Sequence, residues 1–132
     1  MDDLTLHLPL RVLVVDDNRD AADSLSVLLQ LWGHEARVAY DGADGLRAAR
    51  EFRPQVALLD VRMPRMHGGQ LAQALRQLLG PEGVVLVATS ATDPEDARLS
   101  SYAHLFDHYL VKPYNLARLE ALLAGCAAQA AR

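Results

Sequence analysis

Cysteine is almost missing from this chain. Cys126 is the only one, so no intrachain disulfide can form, which suits a reducing cytoplasm. No apolar run approaches the ~18 residues of a membrane-spanning helix. The start, Met1-Asp2-Asp3, is acidic and lacks the basic-then-apolar layout of a secretion signal. There is no basic stripe, and a net charge of -4 argues against a nucleic-acid footprint. No G-x-G-x-x-G or P-loop pattern occurs, which removes the usual dinucleotide and nucleoside-triphosphate cradles. Internal repeats and low-complexity linkers are also missing. The expectation from these absences is a cytoplasmic protein that touches neither membrane nor, directly, nucleic acid.

What is present is an alternation. The chain has 132 residues, a length that predicts one domain over 1–132. Such a domain can bury about two-thirds of its unfolded surface without disulfides. Residues 11–15 (RVLVV) form a nearly continuous apolar run, as expected for a strand buried on both faces of a parallel sheet. Ala21, Leu25, Leu28 and Trp32 then recur at helical spacing, and Gly33 stands where a helix stop belongs. Residues 35–40 read as a second strand and 43–52 as a short helix. Residues 55–59 (QVALL) are a third strand, followed by a helix marked by Leu71, Leu75 and Leu78 that ends near Gly80-Pro81. Residues 84–88 (VVLVA) are a fourth strand. Asp93-Pro94-Glu95-Asp96 looks like a helix start, with a capping Asp, a first-turn Pro and first-turn acids. That helix, residues 93–103, has few apolar positions (Leu99, Tyr102), so it should be loosely held. Residues 108–111 are a fifth strand. Asn115 caps a last helix carrying Leu116, Leu119, Leu122 and Leu123. Five strands alternating with five helices predict an α/β fold with right-handed crossovers. The core should run from about 11 to 125, with 1–10 and 126–132 as fraying ends.

In an open parallel sheet, ligands bind beyond the carboxyl ends of the strands. Asp16 and Asp17 follow the first strand, Asp60 the third, Thr89 and Ser90 the fourth, and Lys112 and Pro113 the fifth. If these segments converge, three carboxylates, a hydroxyl and an ammonium share one crevice. Clustered carboxylates repel and raise each other's pKa unless a cation lies between them. Oxygen ligands suit a hard cation such as Mg²⁺ (or Mn²⁺), which also accepts phosphate oxygens. Lys112 adds positive charge, Ser90 can donate to a phosphoryl oxygen, and a central carboxylate can be the nucleophile of an aspartyl phosphate. The bland alternative treats each Asp as a helix cap or turn residue. It suits Asp16 alone but not the whole set.

LVVDDN (13–18), LLDVRMPRMHG (58–68), VATSA (87–91) and FDHYLVKP (106–113) together resemble the receiver domain of bacterial two-component response regulators, chemotaxis regulators among them. The resemblance runs from Arg11 to about Leu123. It implies a flavodoxin-like, doubly wound (βα)5 fold: a five-stranded parallel sheet, order 2-1-3-4-5, with helices on both faces. It implies that Asp60 accepts a phosphoryl group and that Asp16, Asp17, Asp60 and the backbone carbonyl of Arg62 hold Mg²⁺. Ser90 and Lys112 would contact the phosphoryl oxygens, and the Lys112–Pro113 bond would be cis. Ser90 and Tyr109 would form the switch, remodelling the face made by the helix over 93–103, the fifth strand and the last helix. The implied partners are a histidine kinase or histidine phosphotransfer protein, and a downstream protein or a second copy at that face. A signalling module is expected rather than an enzyme, assisting only its own phosphorylation and dephosphorylation.

Several positions depart from that pattern. Ser90 stands where Thr is commoner. His67 replaces a usual acid and reads as a solvated loop residue. Arg62 lies two residues after Asp60, beside the path of a water attacking the acyl phosphate. Leu105 replaces a usual Gly, which must change the turn if that Gly is left-handed. His104 and His108 are four apart, but Phe106-Asp107 should separate helix from strand between them, so they are not a metal pair. His7 and His34 lack ligand-like neighbours, and Cys126 belongs to an apolar helix face. Two other functions compete. A pseudo-receiver would bind partners without phosphorylation, against which the intact acid, hydroxyl and ammonium set argues. An Asp-nucleophile phosphatase would want a second Asp where Arg62 stands. No stretch is left over for an effector domain, so the chain reads as a stand-alone regulator or as a receiver excised from a longer protein such as a hybrid histidine kinase.

Overall fold

The structure is a computed structural model, and it describes residues 9–63, 66–90 and 102–130. The expected helix over 93–103 lies outside these residues except for its last two positions.

Five strands form one parallel sheet: β1 (Arg11–Val15), β2 (Glu35–Ala39), β3 (Val56–Asp60), β4 (Val85–Ser90) and β5 (His108–Val111). Their spatial order is β2-β1-β3-β4-β5, as expected. Four α-helices are described: α1 (Arg19–Leu31), α2 (Gly42–Phe52), α3 (Gly68–Leu79) and α4 (Leu116–Ala130), with a 3-10 turn at Ala103–Leu105 just before β5. Parallel neighbours cannot be joined by tight hairpins, so a crossover has to span the sheet, as α1, α2 and α3 do.

Alternate side chains of each strand point to opposite faces, so the apolar runs feed two cores. On one face Val12, Val14, Val56, Leu58 and Val87 pack against Leu25 and Leu29 of α1 and Leu119 and Leu123 of α4. On the other, Leu13, Val15, Leu59 and Leu86 pack against Ala49 of α2 and Leu71 and Leu75 of α3. Every residue of β3 is buried, which is why its sequence shows no alternation.

The helix stops are chemical. Asn18 caps α1, its side chain accepting from the Ala21 N–H. Gly33 and Gly80 take positive φ after α1 and α3, where a Cβ would be strained. Described residues at both ends join the core. Leu10 is in the core, its N–H donating to His34 Nδ1 at 3.1 Å. Cys126 and Ala127 are buried too, because α4 continues its apolar face to Ala130. Among the described residues, no helix is long and apolar enough to cross a membrane.

A carboxylate cluster at the carboxyl edge of the sheet

The sheet's register brings the expected residues together. Val15 pairs with Leu59, Asp60 with Thr89, and Ser90 with Val111. The strand ends therefore lie side by side. Asp60 and Ser90 are the last residues of β3 and β4 rather than the first loop residues after them, so both have main chains held in the ladder. The Val61 N–H donates to the Thr89 carbonyl and the Lys112 N–H to the Ser90 carbonyl, which extends the pairing one step beyond each strand.

Oxygens of Asp16, Asp17 and Asp60 all lie within 4.8 Å of one another. Asp16 and Asp60 are buried and Asp17 is exposed, so the cluster opens to solvent on one side. The Arg62 N–H donates to Asp60 Oδ1 at 3.0 Å, and the Asn18 N–H donates to Asp16 Oδ1 at 3.0 Å. Each buried carboxylate thus has one oxygen fixed by a backbone amide. Lys112 Nζ donates to Asp16 Oδ2 at 2.6 Å and lies 3.6 Å from Asp60 Oδ2. The Lys112–Pro113 bond is cis.

The electrostatics follow from burial. Removal from water pushes the Asp60 carboxyl up to about 6. The Arg62 amide and the Lys112 charge pull the other way, and the Asp16 charge adds a smaller upward push. The expected mutual repulsion contributes, and desolvation is the larger cause. Burial also lowers the Lys112 ammonium, but its hydrogen bond to Asp16 and the charge of Asp60 outweigh this and leave it raised.

Three hard oxygen donors within reach of one centre fit a divalent cation, and the ammonium at 3.6 Å offers a second positive group. Ser90 is fully buried beside them, and Tyr109 is half-buried on β5. Arg62 has an exposed side chain.

A model of the "Response regulator receiver domain" matches residues 12–124. The chain belongs to this family of two-component receiver domains. Among relatives, the "Transcriptional regulatory protein PrrA" of Mycobacterium tuberculosis is 46% identical over 112 residues, 84% of this chain and 47% of that protein. The "DNA-binding response regulator MtrA" of Mycolicibacterium paratuberculosis is 38% identical over 79% of this chain and 45% of that protein. The chemotaxis protein CheY4 of Vibrio cholerae superposes with a TM-score of 0.78 at 29% identity, covering 90% of this chain and 99% of that one. The chain thus spans about half the length of the curated relatives and nearly the whole of the receiver structure. The names of those longer relatives limit the expectation about nucleic acid to this stretch of chain alone.

One receiver residue departs from expectation. His67 is not a solvated loop residue. It caps α3, Nδ1 accepting from the Gly69 N–H at 3.1 Å while Gln70 Oε1 accepts from the His67 N–H at 3.2 Å. The reciprocal pair is a capping box, and imidazole replaces the usual short oxygen side chain. Leu105 does not occupy a left-handed turn: among described non-glycine residues only Arg53 has positive φ. It ends the 3-10 turn and packs into the α2–α3 core. His104 and His108 are exposed, and Phe106-Asp107 do separate turn from strand. Two residues went unread. Tyr114 is partly buried against the core on the α1–α4 face, burial pushes its phenol up, and its position just past Lys112–Pro113 was the available signal. Arg76 is the other. Its guanidinium donates to the carbonyls of Pro81, Val84 and Leu105 and to Asp107 Oδ2, tying α3 to β4 and the 3-10 turn.

Proposed function

We propose that Asp60 is the phosphoacceptor of a two-component phosphorelay and that its phosphorylation resets the surface around β5 for a protein partner. One observation carries this reading: the Asp16, Asp17 and Asp60 oxygens lie within 4.8 Å of one another, and Lys112 Nζ is within 3.6 Å of Asp60.

The chemistry assigns each residue a task. An oxygen of the Asp60 carboxylate attacks the phosphorus of a phosphohistidine on a histidine kinase or phosphotransfer protein. An O–P bond forms as the P–N bond breaks, and the electron pair leaves on the imidazole nitrogen. The Arg62 amide holds Oδ1, which leaves Oδ2 facing the cleft beside Lys112. Lys112, bonded to Asp16 in the resting state, can turn its donors to the phosphoryl oxygens. Ser90 supplies a hydroxyl to another of those oxygens. Asp16, Asp17, Asp60 and the Arg62 carbonyl would hold Mg²⁺ (or Mn²⁺), which supplies neutralising charge for the dianion when bound. Ser90 and Tyr109 form the switch, and Val111 on β5 and Leu116 on α4, 43% and 49% exposed, offer apolar contacts to a partner. A cytoplasmic location follows from the phosphodonor.

The test is incubation with acetyl phosphate and Mg²⁺ followed by intact-mass measurement. A gain of one phosphoryl group is expected, lost in Asp60→Asn and in Mg²⁺-free buffer. No gain, or a gain that survives Asp60→Asn, overturns the assignment.

A further inference from the structure

Gly68 and Gly69 open α3 side by side, and each is pressed against something different. A Cβ on Gly68 would lie 2.6 Å from the Asp60 carbonyl oxygen. A Cβ on Gly69 would lie 2.5 Å from Tyr102 Cδ2 and 2.6 Å from Cγ. Neither position can take a side chain unless a neighbour moves. The first turn of α3 is therefore a thin backbone spacer, with the main chain of Asp60 on one side and the ring of Tyr102 on the other. His67 completes the contact. Its ring meets that of Tyr102 edge to face at 5.1 Å, while Nδ1 caps the Gly69 N–H.

Tyr102 leads directly into the 3-10 turn and β5, the strand that carries Tyr109. The same turn is fixed a second time at the other end of α3. There Arg76 holds the Leu105 carbonyl at 2.9 Å and Asp107 at 2.8 Å. The approach to β5 is thus attached to α3 at two points. The Tyr102 end sits on the α3 start, while Phe106 packs against Ala88 and against Val61, just after Asp60. The Gly68 N–H also donates to the Val61 carbonyl, so the spacer and the loop that follows Asp60 share main-chain bonds.

We propose that Tyr102 is a positioning residue for the phosphoryl-transfer site: seated on Gly69 and His67, it fixes the α3 start and, through the Gly68–Val61 main-chain bond, the 61–63 stretch that presents the Arg62 backbone to the carboxylate cluster. This rests on the function proposed above. It adds a second line of communication between Asp60 and β5, one that runs through backbone contacts at Gly68 and Gly69.

The experiment titrates MgCl₂ calorimetrically into the whole chain and measures the phosphoryl lifetime after acetyl phosphate. It is run at a temperature where circular dichroism shows every variant folded. Tyr102→Phe keeps the ring and should bind Mg²⁺ like the unaltered protein. Tyr102→Ala should weaken Mg²⁺ by ~10-fold, the usual cost of freeing a group that orients a metal ligand, and should change the phosphoryl lifetime. Gly69→Ala pushes the ring out from the opposite side and should weaken Mg²⁺ similarly. In the Tyr102→Ala background the ring is gone and only the Tyr102 Cβ, 2.9 Å away, still crowds the added methyl, so Gly69→Ala should cost less there than in the unaltered protein. Unchanged Mg²⁺ affinity in both single variants, or strictly additive losses in the double, overturns the inference while leaving Asp60 as acceptor. Unaltered protein that neither binds Mg²⁺ nor takes a phosphoryl group overturns the functional reading and this one with it. If Tyr102→Ala does not fold, Gly69→Ala and Tyr102→Leu decide the same question by the same two measurements.

Discussion

In the role proposed above Asp60 is held under opposing demands, since a nucleophile must be ionised and a buried carboxyl resists ionisation. Its folded pKa of about 6 lies above the ~3.9 of an unfolded Asp. The folded state therefore holds this proton more tightly. The associated stability is complete below about pH 4 and is lost as pH rises through about 6. Replacing the acid with an isosteric amide removes that loss. Asp60→Asn should be more stable than the unaltered protein by about 1–2 kcal/mol near pH 7.5 without divalent ions, and equal to it near pH 4. The full shift would convert to about 3 kcal/mol, and water reaching the cleft through Asp17 screens part of it. Urea unfolding at the two pH values measures both. At this scale the sequence was informative because function needs charged side chains where packing favours apolar ones. Asp16, Asp17, Asp60, Ser90 and Lys112 stand out against Val and Leu for that reason. His67 was unreadable by the same logic, because an imidazole acting as a cap looks like any loop histidine until its Nδ1 meets the Gly69 amide.

At the level of elements, positions were legible and attachments were not. Leu25 and Leu28 announce α1, and the solid apolar runs announce β1, β3 and β4, because burial imposes a period on side chains. Strand ends were placed slightly early, since Asp60 and Ser90 are polar and yet remain paired in the ladder. Arg76 had no readable role because three of its four partners are main-chain carbonyls, which leave no mark in a sequence. The Arg76 side chain is only 15% exposed. Arg76→Ala leaves those carbonyls and Asp107 without this donor and should cost about 3 kcal/mol, most of it from unsatisfied buried groups. Denaturant titration measures the loss. Asp107 is 45% exposed and also accepts from the Leu86 N–H at 2.8 Å, so Asp107→Asn should cost less than Arg76→Ala.

For the whole molecule, a ligand that binds only the folded state stabilises it by mass action. Mg²⁺ at ~100 times its dissociation constant should add about 2.7 kcal/mol and raise the melting temperature. The rise should largely vanish in Asp60→Asn, and thermal melts across a Mg²⁺ series check it. The order of the sheet also explains where adaptation can occur. β3 is the central strand, with two strands on either side, whereas β2 and β5 are the edge strands of the sheet. Asp60 thus sits where the chain tolerates least change, and the exposed Val111 belongs to a margin. Such a molecule can be readdressed: substitutions along β5 can give it a new listener while the register that seats Asp60 is inherited intact.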